Sequence, residues 1–133
     1  DPRYDDVVAE VLVWLRQCRD ELLGAGLQFD RLCLDVGIGF GKTHQHNLQL
    51  MAGLHRFHEL GCPLLVGPSR KAFLRKVLNR DETDLAAATA GACAAAACQG
   101  VQVVRVHDVQ QVRDALLALT ACGGVDGVAG HLA

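Results

Sequence analysis

Val7, Val8, Val11, Leu12, Leu15, Cys18 and Leu22 recur at helical spacing and predict a first helix. Asp5 and Asp6 suit its N-terminus, and Gly24 suits its end. The short apolar run Arg31-Leu32-Cys33-Leu34-Asp35 then enters the glycine-rich segment Gly37 to Lys42, which reads as a buried strand running into a loop. A second helix is expected from about Gln45 to Leu60, with Leu50, Leu54 and Phe57 on one face and Gly61 at its end. Pro63 to Val66 reads as a second strand, followed by a short helix near Phe73 to Leu78 and a polar loop from Asn79 to Glu82. An alanine-rich helix is predicted over Asp84 to Gln99, stopped by Gly100. Val101 to Val106 forms the third strand, Val109 to Ala121 the last helix, and the residues from Gly123 onward a frayed tail.

The resulting order, α-β-α-β-α-β-α, implies a parallel sheet with right-handed crossovers. Strands that are apolar throughout imply a sheet covered on both faces. The pattern fits either an open doubly wound sheet or a piece of a (β/α)8 barrel. Three strands alone leave two raw edges, so the chain is expected to be incomplete or to pair with something. Residues 1–133 read as one partial domain, without repeats or a linker.

Composition narrows the class. Half of the 133 residues are apolar and 21% are charged, as in ordinary globular domains. A net charge of −2 gives no reason to expect nucleic acid or an anionic membrane as partner. The most apolar stretch, Leu85 to Cys98, is mostly alanine and falls short of the ~20 residues of a membrane span. The acidic N-terminus has no apolar signal region. The six cysteines contain no Cys-x-x-Cys pair and sit among apolar neighbours. They are expected as buried, reduced thiols, which suits the cytoplasm.

In either parallel architecture the chemistry gathers where strands end. The first strand ends in Asp35, the second runs into Ser69, Arg70 and Lys71, and the third ends in Arg105 and His107. Lys71, Arg105 and His107 could bind an anion, with Arg105 giving bidentate contact to phosphate oxygens. A carboxylate at Asp35 matches two adjacent N–H donors of an amino-substituted heterocycle. Glycines at 37, 39 and 41 let a flat ligand approach the backbone, and Phe40 offers an aromatic wall. A polar heterocycle carrying phosphate or pyrophosphate is the ligand class that fits. Taken singly, each signal has a plainer reading: a glycine turn, a solvated basic loop, or two side chains on one strand face. Their coincidence at three successive strand ends favours a site. His44, His46, His55 and His58 lack an ordered ligand set, so no metal site is assigned to them. Trp14 is expected to pack the first helix or to lie at its rim.

Asp35-Val36-Gly37-Ile38-Gly39-Phe40-Gly41-Lys42 resembles the dihydropteroate synthase signature Asp-Pro-Gly-[Ile/Phe]-Gly-Phe-Gly-Lys. His46-Asn47-Leu48 resembles the start of the helix that follows it. Ser69-Arg70-Lys71 resembles that family's Ser-Arg-Lys loop, and Arg105-Val106-His107 its final Arg-x-His motif. The likeness runs from about Tyr4 to Ala121. It implies the C-terminal portion of a (β/α)8 barrel, with the three strands as the sixth to eighth. It implies that 6-hydroxymethyl-7,8-dihydropterin pyrophosphate condenses with p-aminobenzoate to give 7,8-dihydropteroate and pyrophosphate.

By the same resemblance Asp35 holds the pterin, Gly39 and Phe40 line the pterin and p-aminobenzoate pocket, and Lys71 contacts the pterin. Ser69 lies near the aminobenzoate carboxylate with Arg70 beside it, while Arg105 and His107 bind pyrophosphate. Lys71, Arg105 and His107 are the expected catalytic groups. Mg²⁺ is implied, with its ligands mainly in an N-terminal half that has no counterpart here, as is a homodimer of the intact enzyme. Val36 replaces the usual proline, which loosens the loop but removes no chemical group. The lone chain is expected to be inactive. The alternatives are a non-catalytic half barrel that needs a partner chain, and a methyltetrahydrofolate-dependent methyltransferase. The latter needs no pyrophosphate site, so the Lys71, Arg105 and His107 cluster argues against it.

Overall fold

The computed structural model describes residues 1–79 and 84–125. Helix α1 (Val7–Gly24) starts where the Asp6 carboxylate accepts from the backbone N–H groups of Val8 and Ala9, both at 3.0 Å. Its buried stripe is Val7, Val8, Val11, Leu12 and Leu15. Cys18 is only half-buried and Leu22 is exposed, so the stripe runs out before the helix does. Trp14 lies on the outer side, 60% exposed beside exposed Val13.

Strand β1 (Leu34–Asp35) leads into the glycine loop and then α2 (His44–Ala52). A reciprocal cap opens α2: Thr43 Oγ1 accepts from His46 N–H, and His46 Nδ1 accepts from Thr43 N–H, both at 3.2 Å. The single helix expected to Leu60 is broken at Gly53, and Leu54–Leu60 continues as a 3-10 helix. Gly53 abuts α1 so closely that a Cβ there would lie 3.0 Å from a Val8 methyl. Leu50, Leu54, Phe57 and Leu60 are nevertheless all buried, because 3-10 winding still returns every third residue to one side. Gly61, at φ 71°, ends the segment. His55 and His58 both meet the end of the alanine-rich helix: His55 N–H donates to Gln99 Oε1 at 3.3 Å, and His58 Nε2 lies 2.7 Å from the Gln99 carbonyl.

Strand β2 (Leu64–Val66) is followed by α3 (Ala72–Leu78), α4 (Ala86–Cys98), strand β3 (Val103–Val104) and α5 (Val109–Ala121). Alanine lets α4 lie close to α5, and Thr89, Cys93 and Ala96 form its buried line. Burial pushes the Cys93 thiol up to about 11. The residues from 80 to 82 of the expected polar loop, and those from 126 of the expected tail, lie outside the described residues.

The strands are parallel in the order β1-β2-β3, with Asp35 opposite Leu65 and Leu65 opposite Val103. That sequential order has no reversal point, unlike a doubly wound sheet. Leu34, Leu64 and Val66 are buried under the helices, together with Val36. On the other face Asp35 and Val103 are exposed and Leu65 is half-buried. The sheet is thus covered on one face, not on both as its apolar strands imply. The open face carries the residues that would point into the interior of a closed barrel. The cysteines differ from expectation for related reasons. All six are free, but only Cys62 and Cys93 are buried. Cys33 is exposed where it alternates with buried Leu32 and Leu34; Cys98 and Cys122 are exposed at the ends of α4 and α5. Among the described residues no helix is long and apolar enough to cross a membrane.

Phe57 is fully buried, at 0% exposure. Phe57→Ala is expected to cost about 3–5 kcal/mol, the usual cost of an emptied aromatic site. A urea denaturation midpoint that hardly moves would mean that this core is not formed in solution.

Candidate functional site

The three parallel strands bring their C-terminal ends to one rim. At the end of β1, Asp35 Oδ1 accepts from Gly37 N–H at 2.8 Å, while the carboxylate stays exposed. Gly37, Gly39 and Gly41 have φ of 72°, 83° and 56°, which side chains rarely tolerate, so the loop needs glycine at each. Two side chains lock it. Lys42 Nζ donates to the carbonyls of Gly37 and Phe40, both at 3.0 Å. Burial pushes its ammonium below the usual lysine range, and the nearby Asp35 opposes that shift. Asn47, only 4% exposed, accepts from Gly39 N–H and donates to the Thr43 carbonyl, both at 2.7 Å.

The loop after β2 meets the loop after β3 residue by residue. Ser69 Oγ accepts from His107 N–H at 3.1 Å and lies 2.9 Å from His107 Nδ1. One residue on, Arg70 donates to both Asp108 oxygens, Nε at 3.1 Å and Nη2 at 2.6 Å. That fork holds the Asp108 carboxyl below the usual carboxylate range and raises Arg70. Arg70 adopts φ 57°, and its N–H donates to fully buried Thr89 Oγ1 at 3.2 Å. Lys71 then turns back over the glycine loop: its Nζ sits 4.1 Å from the centre of the Phe40 ring.

Arg105 leaves β3 with its N–H on the Val66 carbonyl at 3.0 Å. Its guanidinium lies over Gly67, where a Cβ would approach it to 3.1 Å, and 3.9 Å from the Asp35 carboxylate.

The predicted site residues therefore fall into three groups. Asp35 and Arg105 face each other across the strand ends. Gly39, Phe40 and Lys71 form a stacked wall. Ser69 and His107 form a bonded pair, with Arg70 tied to Asp108 beside it. Sequence reasoning did not assign roles to Asn47, Lys42, Thr89 or Asp108. A buried asparagine just inside a helix after a glycine loop is the signal that could have found the first.

A cleft of about 550 Å³ opens between the glycine loop and α3, sharing Gly39, Lys42 and Lys71 with this site and adding Arg75 and Lys76. Among the described residues no group of three or more His, Cys, Asp or Glu converges to hold a metal ion. Gly39→Ala is expected to cost roughly 1–2 kcal/mol from its positive φ alone, and its Cβ, at 2.8 Å, would displace the Lys71 stem. A urea denaturation midpoint would check the first and the Phe40 ring-proton shifts the second; an unchanged ring environment would count against the contact.

A sequential parallel sheet with helices on one face, and a carboxylate opposed by cations at its strand ends, defines a segment of a ligand-binding (β/α)8 barrel wall. Residues 1–107 match the family described as pterin binding enzyme, and the chain belongs to it. The chain is 44% identical to the dihydropteroate synthase of Neisseria meningitidis serogroup C over 127 residues, covering 92% of this chain and 44% of the relative. It is 41% identical to that of Mycobacterium leprae, covering 90% and 44%. The crystal structure of the Stenotrophomonas maltophilia enzyme with active-site-bound imidazole superposes with a TM-score of 0.90 at 44% identity, over 94% of this chain and 48% of the other. The Xanthomonas albilineans enzyme in complex with 7,8-dihydropteroate gives 0.89 at 41% identity, over 93% and 48%. The chain thus spans a little under half the length of these relatives.

Proposed function

We propose that the chain supplies the C-terminal strand ends of a dihydropteroate synthase, which condenses a dihydropterin pyrophosphate with p-aminobenzoate. The observation that carries this reading is the opposition of Asp35, at the end of β1, to Arg105, at the end of β3, 3.9 Å apart across the end of β2, with His107 held by Ser69 on the neighbouring loops. Asp35 would accept from the amino and ring N–H groups of the pterin. Arg105 and His107 would take the pyrophosphate and hold the negative charge that grows as the carbon–oxygen bond breaks. Phe40 and Gly39, under the Lys71 ammonium, would line the channel in which the weakly nucleophilic aniline nitrogen is oriented. The Ser69 hydroxyl and the Arg70 fork are occupied by His107 and Asp108, so both would act on the substrates mainly through those partners.

Among the described residues no set of side chains makes a Mg²⁺ site. Asp108 is committed to Arg70, and among the described residues no carboxylate joins Asp35 in a ligand group. Ligands for Mg²⁺ would come from outside the described residues. A homodimer of the intact enzyme and a cytoplasmic location belong to the same reading.

A partner-dependent half barrel is the second reading, favoured by the open sheet face with Leu65 and Val103. One experiment addresses both. The chain is assayed for conversion of labelled p-aminobenzoate into dihydropteroate, with pterin pyrophosphate and Mg²⁺, alone and with the rest of a relative's barrel. Product only with both pieces is the expected result. Product from the lone chain would remove the second reading, and none from a folded, complemented barrel would remove the synthase.

A further inference from the structure

We propose that Ser69 is a positioning residue which fixes His107 as the Nε2–H tautomer, so that the neutral imidazole presents a donor to an anion at the strand ends. The use of that donor rests on the pyrophosphate reading above; the tautomer itself does not.

The argument is a count of protons. Ser69 is buried, 5% exposed, and its hydroxyl has one hydrogen and two lone pairs. One lone pair takes the backbone N–H of His107 at 3.1 Å, a donor that cannot reverse. The ring Nδ1 lies 2.9 Å from the same oxygen. If Nδ1 carried a proton, it would fill the second lone pair and leave the Ser69 hydrogen without an acceptor, since Oγ has no other partner among the described residues. A buried hydroxyl with an unpaired proton is costly. If Nδ1 is bare, Ser69 donates to it and every group is satisfied. The ring proton then sits on Nε2. The hydrogen bond at one imidazole nitrogen thus chooses the role of the other.

The arrangement matters because an anion bound beside Arg105 needs donors. A bare Nε2 would aim a lone pair at a phosphate oxygen. The neighbouring fork between Arg70 and Asp108 reinforces the effect by holding the two loops in register, so the short Ser69–His107 bonds persist.

The test uses ¹⁵N-labelled chain at about pH 8, where histidine is ordinarily neutral. Long-range ¹H–¹⁵N correlation reports which His107 nitrogen is protonated, without any ligand. The expected result is a bare Nδ1 and a protonated Nε2. Ser69→Ala should move both shifts toward a mixture of tautomers, and Ser69→Thr should restore them. A protonated Nδ1 in the unmodified chain, or shifts unmoved by Ser69→Ala, would overturn the proposal even if a variant proved unstable. Inorganic pyrophosphate titrated at the same pH separates the two claims. Ser69→Ala should weaken its binding roughly 2- to 10-fold, the worth of one ordinary hydrogen bond. Pyrophosphate binding that ignores His107→Ala, beside a bare Nδ1, would sink the pyrophosphate reading while upholding the tautomer assignment.

Discussion

Arg105→Ala is expected to lower dihydropteroate formation by the assembled barrel about 10²- to 10³-fold, the usual effect of removing one preorganised donor to developing charge. The reason lies in how Arg105 is held. Its backbone is fixed to Val66 by the β2–β3 ladder, and its side chain is 63% exposed, with the guanidinium above Gly67 rather than buried in a pair. The Asp35 oxygen, at 3.9 Å, is too far for a tight fork, so both groups keep capacity for a ligand. Stability should accordingly change by less than about 1 kcal/mol, as for exposed ion pairs. Arg105→Lys should recover only part of the rate, because an ammonium keeps the charge but loses the planar fork. Steady-state pyrophosphate release, with a urea midpoint on each variant, checks both. Near-normal turnover in Arg105→Ala would remove the leaving-group role from this residue.

The sequence is most legible where a single local signal decides an element. The α5 range follows from its apolar spacing, and Gly61 marks an end because only a left-handed residue fits there. Other features depend on contacts that no local pattern contains. The break at Gly53 is invisible in the periodicity, since Leu50, Leu54, Phe57 and Leu60 suit both helix types; it follows from the approach of Val8. The open sheet face is a different failure. Apolar residues at Leu65 and Val103 fit a closed barrel interior, and these residues alone do not enclose it. The cysteines are less buried than their apolar neighbours in sequence imply, because such neighbours say little at Cys98 and Cys122, where helices end.

The site divides in the same way. Asp35, Arg105 and His107 follow from the rule that parallel strands present chemistry at their C-terminal ends. The pairing of Ser69 with His107, and of Arg70 with Asp108, joins residues 38 apart in the chain. It makes one unit of two motifs that read as separate. Asn47 holds the amide of Gly39, so the glycine loop is shaped by a buried residue eight positions further along the chain. Asp35, Phe40 and Arg105 are thus exposed, while Asn47, Ser69 and Thr89, which hold their loops, are buried.

That division sets the expectation for Lys71. Its Nζ stands 4.1 Å from the Phe40 ring centre, and its stem covers Gly39. A partly exposed cation–π contact contributes about 0.5–1 kcal/mol, so Lys71→Ala should fold nearly as well as the parent. Activity of the assembled barrel should nevertheless fall by about 10²-fold, because the ammonium lies over the Phe40 ring while its stem covers Gly39, and so fixes both against a bound ligand. Phe40→Leu supplies the control. It keeps the charge and removes the ring that anchors it, so its loss should be smaller. If the ring acts by holding Lys71, the double variant should be little worse than Lys71→Ala alone. Additive losses would mean that Phe40 and Lys71 meet the substrates independently, and an active Lys71→Ala enzyme would leave the ammonium as only a cover for the loop.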